Sequence, residues 1–147
     1  MLKDIYTYEI LVNDLDFVGH VGNIHWMEIL QRCQQKYLEN IFNLTYRKMR
    51  SLKYNLVIIE SKLNYYAPSY ANDIITISTS LELIDQNSFN FIHKCMNQNG
   101  RLSHKARYKI VFISDSNKLQ RMPTEIAERI RNSLQKDRLH IEDNLSS

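Results

Sequence analysis

Two carboxylates lie immediately before a glycine-framed turn that leads into a predicted helix. Asp14 and Asp16 precede Gly19 and Gly22 in a chain that has only three glycines. Glycine lets the backbone turn sharply and approach a ligand closely. The first turn of a helix also presents unpaired N–H groups and the positive end of the helix dipole. Those amides could polarise a carbonyl oxygen while a carboxylate attacks the carbonyl carbon or draws a proton from water.

The helix that would supply these amides is predicted from Ile24 to Phe42. Apolar positions recur there at intervals of three and four residues, the period of one helical face. These positions are Met27, Leu30, Cys33 or Gln34, Tyr37 and Ile41. The preceding stretch, Ile5 to Val12, is rich in β-forming residues and predicts a strand.

Four further strands are predicted after this helix. Runs rich in β-branched and aromatic residues are separated by turn signals. The runs are Leu56 to Tyr66, Ile74 to Ile84, Ser88 to Met96 and Arg101 to Ile113. Ile75, Ile77, Thr79, Leu81 and Leu83 alternate with polar residues, which predicts one buried face. This order of elements predicts an α+β architecture, with about five antiparallel strands around one long helix.

The chain is predicted to form one domain of 147 residues. Residues 1–122 would form its main body, and residues 123–147 a helix opened by Pro123 and a frayed tail. The composition, 44% hydrophobic and 24% charged, is typical of a globular protein. The net charge of +3 is too small to indicate nucleic-acid binding.

A cytoplasmic location without membrane association is expected. The N-terminus shows no secretory signal, and the longest apolar run, Asn55 to Ile59, is too short to span a bilayer. Cys33 and Cys95 match no metal-binding spacing and are expected to be reduced thiols.

The residues at the strand–helix junction resemble those of hotdog-fold thioesterases of the 4-hydroxybenzoyl-CoA thioesterase type. That family carries a D-x-D-x-x-G-x-V pattern, often continued as H-V-N-N, and then an aromatic on the long helix. The matching residues here are Asp14, Asp16, Gly19, His20, Val21, Gly22, Asn23 and Trp26. A second family pattern, a tyrosine, a proline and an aspartate before the next strand, is matched by Tyr65 or Tyr66, Pro68 and Asp73. The resemblance covers about Asp4 to Met122.

The resemblance implies a hotdog-fold hydrolase of acyl-CoA or acyl-carrier-protein thioesters. It implies no cofactor and no metal. It also implies a homodimer with the active site at the subunit interface, and the assembly of two such dimers into a homotetramer. Asp16 would attack the thioester or deprotonate water, the amide of Asn23 would bind the oxyanion, and His20 would assist. The implied substrate-binding residues are Gly19, Val21, Gly22, Trp26 and Tyr66.

The acyl group stays open between aromatic, fatty and polyketide classes. Gln31 to Cys33 and the V-G-x-V step also resemble the thioesterases of enediyne pathways, which frequently carry asparagine in place of Asp16. Those enzymes tend to have arginine where Gln34 stands, and the wider family often has tyrosine at the place of Trp26. These departures put the acyl specificity in question.

Other interpretations of the same residues remain. Asp16 could cap the helix or a turn. His20 and His25 are five residues apart and share no helical face, so a metal site is not predicted. Arg101, Lys105, Arg107 and Lys109 alternate along one strand. They could form a solvated face, hold the phosphates of coenzyme A or meet the acidic surface of a carrier protein.

Two other classes of hotdog protein are alternatives. A dehydratase would carry its histidine in an H-F-P-like context with a glutamate on the helix, whereas His20 is followed by Val21 and Gly22. A non-catalytic binder of acyl-CoA would have no need of a carboxylate beside its thioester site. Asp16 therefore favours the enzyme over the binder.

Overall fold

Five strands form one antiparallel sheet in the order β1-β3-β4-β5-β2. This computed structural model describes residues 2–146, so the two terminal residues of the predicted domain lie outside the described residues. The strands are β1 (Lys3–Glu9), β2 (Tyr54–Tyr65), β3 (Ile74–Leu83), β4 (Ser88–Met96) and β5 (Leu102–Ser114); the helices are α1 (Asn23–Phe42), α2 (Tyr46–Ser51) and α3 (Thr124–Ser146). The predicted α+β architecture is confirmed.

One face of the sheet packs against α1. The buried residues of α1 are Trp26, Ile29, Leu30, Cys33, Gln34, Tyr37, Leu38 and Phe42. The alternating face predicted for β3 is confirmed, since Ile75, Ile77 and Leu81 are buried. Met27 was expected on the buried face but is 39% exposed, because the larger Trp26 occupies the core position one residue earlier.

β1 ends at Glu9, three residues before its predicted end at Val12. The cause is the Asp14 carboxylate, whose Oδ2 accepts hydrogen bonds from the Leu11 N–H at 2.8 Å and from the Tyr8 hydroxyl at 2.9 Å. These bonds hold the backbone in a 3₁₀ turn that competes with the strand. Asp14 therefore has the structural role of fixing the start of the loop that leads to α1.

The C-terminal segment is helical through Ser146, so the predicted fraying is wrong. Its first half is anchored because Ile126 and Ile130 are buried and Leu134 packs against the core. The remainder contains mostly good helix formers that can extend an anchored helix. No helix within residues 2–146 is long and apolar enough to cross a membrane.

Candidate active site

A cavity of about 420 Å³ opens where the end of β2 meets the loop before α1. Its lining residues are Asp16, His20, Val21, Asn23, Trp26, Tyr65, Tyr66, Ala67, Pro68 and Ser69. All of the predicted site residues except Gly19 and Gly22 are among them, and those two lie in the loop beside it. The volume is within the range of small-molecule sites, about 300–1,000 Å³.

Asp16 organises the loop in which it lies. Its backbone N–H donates to the His20 carbonyl at 2.9 Å, and its carbonyl accepts from the Gly19 N–H at 3.1 Å. Its side-chain Oδ1 accepts from the Val18 N–H at 2.9 Å. Gly19 has φ +93°, a conformation that side chains disfavour, so glycine is needed at this turn.

The far end of the loop is tied to the connection between β2 and β3. The Val21 N–H donates to the Ser69 carbonyl at 2.8 Å, and the Gly22 N–H donates to the Asp14 carbonyl at 3.3 Å. Ser69 was not predicted as a site residue. It contributes through its backbone, which leaves no signature in its side-chain type.

Gly22 is the N-cap residue of α1 and has an ordinary extended conformation, φ −74° and ψ 158°. The expected backbone freedom at this position is therefore not what the structure uses. A Cβ added to Gly22 would lie 3.3 Å from the Cβ of Asp16 and 3.9 Å from its Oδ2. The missing side chain lets Asp16 lie against the N-cap of the helix.

The first turn of α1 faces this loop with free amide groups. The first helical bond runs from the Trp26 N–H to the Gly22 carbonyl at 3.1 Å, and Gly22 supplies no side-chain cap. The N–H groups of Asn23, Ile24 and His25 precede that bond and have no partner within the helix. Together with the helix dipole, they favour negative charge on a nearby group.

Asn23 and His20 occupy different walls of the cavity. The Asn23 side-chain oxygen accepts a hydrogen bond from the Tyr65 hydroxyl, which joins the start of α1 to the end of β2. His20 Nδ1 lies 4.0 Å from Asp16 Oδ2, with both side chains about one-third exposed. Within residues 2–146, no group of three or more potential ligands is arranged to hold a metal ion.

A fully buried histidine, His104 of β5, lies behind the cavity. Its ring stacks on Trp26 with a centroid distance of 4.8 Å, and Tyr65 covers it at 4.7 Å. Neither ring nitrogen of His104, nor the buried hydroxyl of Tyr108, makes a well-formed hydrogen bond with the described residues, although the backbone of Asn64 interacts with the His104 ring. Burial lowers the pKa of His104 to about 4.

Sequence reasoning did not select His104. The signal was the alternation of β5, because Lys105 and Arg107 on the outer face place His104, Ala106 and Tyr108 on the inner face.

A second buried histidine, His93 of β4, is part of the core. The Gln34 amide donates to its Nε2 at 3.2 Å, which leaves Nδ1 to donate to the Thr79 hydroxyl at 2.9 Å. Burial, and then the nearby His104, lower the pKa of His93 to about 3. Both histidines are therefore neutral at physiological pH.

Comparison with known proteins identifies the family. A family model described as the thioesterase-like superfamily matches residues 10–130. Comparison of the sequence with curated proteins finds no significant match. The narrower resemblance to enediyne-pathway thioesterases stays a prediction.

Several solved structures share the fold. A 1,4-dihydroxy-2-naphthoyl-CoA thioesterase from Synechocystis is similar at a TM-score of 0.79 and 15% identity, over 87% of this chain and 95% of that one. A hypothetical protein from Staphylococcus aureus, solved in complex with CoA, is similar at a TM-score of 0.79 and 16% identity, over 90% of this chain and 87% of that one. For a DHNA-CoA thioesterase from Staphylococcus aureus the TM-score is 0.81 and the identity 14%, over 92% of this chain and 93% of that one. At these identities the similarity establishes the hotdog fold.

We expect the protein to lose stability between about pH 6.5 and pH 4. His93 and His104 stay neutral in the folded state down to pKa values of about 3 and about 4, whereas their ordinary pKa is 6.5. In this window the unfolded chain binds more protons. The contribution of the two neutral histidines to the free energy of unfolding is therefore fully present above about pH 6.5. Below that pH the free energy of unfolding falls by about 1.4 kcal/mol per pH unit for each histidine.

Urea denaturation at several pH values measures this slope. His104→Gln should reduce the slope of the unfolding free energy against pH by the contribution of one histidine. His140→Gln, at an exposed position of α3, should leave the slope unchanged. A free energy of unfolding that is constant across this window in the unsubstituted protein would contradict the prediction.

Proposed function

Because the chain belongs to the thioesterase-like superfamily, we propose that it hydrolyses acyl-CoA thioesters in the cavity around Asp16. The observation that supports this most is the position of the Asp16 carboxylate beside the unpaired amides of the first turn of α1. Thioester hydrolysis needs a nucleophile or an activated water, together with donors for the oxygen on which charge develops. This cavity offers both.

The proposed reaction starts with the thioester carbonyl oxygen at the N–H of Asn23. As the carbonyl carbon is attacked, its oxygen becomes negative, and a preorganised amide donor lowers the barrier by about 3 kcal/mol. Asp16 attacks the carbon itself, which gives a mixed anhydride that water then hydrolyses to the free acid, or it takes a proton from a water that attacks the carbon. On both routes the carbon–sulfur bond breaks as the carbonyl re-forms. The coenzyme leaves as a thiolate and is protonated, and His20 lines the same cavity as a donor for that proton.

Coenzyme A is proposed as the thiol carrier, with acyl carrier protein as the alternative. One similar structure was solved with CoA, and two others are described as CoA thioesterases. A non-catalytic acyl-CoA binder of the same fold is the alternative function. The Asp16 carboxylate favours the enzyme, since a binder gains nothing from an anion beside its ligand's carbonyl group.

For the acyl group, we propose a class that carries a hydrogen-bonding substituent, such as a hydroxylated aromatic ring. The unpartnered atoms of His104 and Tyr108 are costly to bury and would be satisfied by a polar group, but not by a hydrocarbon chain. Tyr65, which covers His104, is 53% exposed, so a rotation of its side chain would open this space to the cavity. The similar 1,4-dihydroxy-2-naphthoyl-CoA thioesterase is named for a hydroxylated aromatic acyl group.

We also propose that two chains pair through β2. This edge strand exposes Val57, Ile58 and Ile59, and unpaired apolar edge strands are rarely left uncovered. The strand ends at Tyr65 in the wall of the cavity, so a partner along β2 would approach the site. Phe17, fully exposed next to Asp16, is a further apolar group for such a partner to cover. A dimer of dimers and a cytoplasmic location remain predictions.

We expect Asp16→Asn to reduce kcat by about 10² or more, because it keeps the side-chain shape but removes the charge. KM and the melting temperature should change little. Thiol release from acyl-CoA measures the rates. Asp14→Asn is the matched control: it should lower the free energy of unfolding by about 1–3 kcal/mol, because a buried carboxylate loses charge-assisted bonds to Tyr8 and Leu11.

Wild-type hydrolysis by Asp16→Asn together with inactive Asp14→Asn would reverse the roles of the two carboxylates. A purified protein that bound acyl-CoA but hydrolysed no member of a broad panel would instead be the non-catalytic binder.

A thioester panel tests the acyl class. We expect kcat/KM to favour a hydroxylated aromatic acyl-CoA over its unsubstituted analogue by about tenfold, the value of one additional buried hydrogen bond. His104→Phe keeps the aromatic stack and should reduce this preference, and His104→Phe/Tyr108→Phe should remove it. A preference for saturated fatty acyl chains, or an unchanged ratio in His104→Phe, would overturn this assignment.

Light scattering should return at least twice the chain mass of 17.5 kDa at micromolar concentration. Ile59→Lys places a charge on the exposed β2 edge and should shift the protein towards monomers. Leu119→Lys, at an exposed position between β5 and α3, is the control and should have no effect. A monomeric unsubstituted protein would refute the pairing.

A further inference from the structure

The face of the sheet opposite α1 carries a second, basic cavity of about 580 Å³. It is lined by Lys3, Lys94, Lys105 and Arg107, together with Ser78, Ser80, Ile92 and Asp137. We call it the basic cavity. Strand alternation separates it from the candidate active site, because His104 points to the inner face beside Trp26 and the next residue, Lys105, points outwards.

Two rows of side chains cross the sheet to form its floor. The first row runs from Lys3 through Ser80 and Ile92 to Arg107, and the second runs from Ser78 through Lys94 to Lys105. Neighbouring strands are about 4.8 Å apart, and next-nearest residues along a strand are about 6.8 Å apart. Lys94, Lys105 and Arg107 are therefore the corners of a compact triangle of cations.

This arrangement places like charges directly opposite each other. Lys94 pairs with Lys105 across β4 and β5, and Arg107 pairs with Lys62 across β5 and β2. Such cross-strand pairs are destabilising. Glu82 lies 3.5 Å from Arg107 and offsets one charge, and Asp137 contributes one carboxylate to the rim. A net positive concavity remains, and a bound anion would offset the repulsion.

The lining also indicates which anion fits. Ser78 and Ser80 add hydroxyl donors to the four cations, the combination that binds phosphate oxygens. Within residues 2–146, the cavity lining includes no aromatic ring on which a nucleotide base could stack. A second copy of the chain packed on this face would bring the same positive charges together. The chemistry favours a compact anion with several phosphate groups.

We propose that the basic cavity is a binding site for a compact polyphosphorylated small molecule, separate from the cavity around Asp16. The inference does not depend on the proposed hydrolysis, because it rests on the other face of the sheet and is tested by binding.

Inorganic triphosphate is the probe, titrated into the full chain by calorimetry at about 50 mM salt, where exposed charges are weakly screened. Saturable binding of one triphosphate per chain is expected, and it should weaken as salt is raised. The double variant Lys94→Gln/Lys105→Gln should bind at least about tenfold more weakly. Its melting temperature should be unchanged or higher, because the like-charge pair is removed.

The matched control is Lys48→Gln/Lys118→Gln, which changes the net charge equally at positions outside the cavity and should alter affinity less than about twofold. Absence of saturable binding would overturn the proposal, as would equal weakening in the two double variants, which indicates non-specific attraction. Displacement of triphosphate by CoA, one for one, would also overturn it, because the cavity would then belong to the coenzyme's own site. Binding by acidic carrier protein without binding of triphosphate would assign the face to a protein partner instead.

Discussion

Asp16 lies against the backbone of Gly22, the N-cap residue of α1, so closely that an added side chain would have to displace Asp16 slightly. A Cβ at position 22 would approach the Cβ of Asp16 to 3.3 Å. This contact places a carboxylate at the positive end of a long helix, beside amides that have no helical partner. The turn at Gly19 and the bond from Val21 to Ser69 serve to hold that contact in place.

The rest of the fold gives this contact a rigid support. α1 is fixed by a buried face that contacts the sheet, and Trp26, one turn from Gly22, belongs both to that face and to the cavity wall. The same core encloses His93 and His104, whose burial favours the neutral form, so protonation of either ring destabilises the fold. Both buried histidines thus cost stability on acidification, and we propose that His104, the one behind the cavity, is kept for the acyl group.

The sequence predicted those features that depend on neighbouring residues. β4 was predicted with both ends correct, and the loop from Asp16 to Trp26 is contiguous, so its residues could be recognised together. Features set by distant contacts were not predicted. The side chain of Asp14 ended β1 early, Ser69 contributes a carbonyl from another connection, and His104 reaches the site only through strand register. The alternating cations of β5 are visible in the sequence, but only the pairing of β4 with β5 brings Lys94 beside Lys105.

A double-mutant cycle between Gly22→Ala and Asp16→Asn tests the central claim most directly. The added methyl group needs no backbone strain, but it must displace Asp16 by a few tenths of an ångström, and catalysis is sensitive to such displacements. Gly22→Ala should therefore lower kcat about tenfold when Asp16 is present and cause no further loss in Asp16→Asn. Equal fractional losses in both backgrounds, or no loss in either, would contradict a catalytic contact between these two residues.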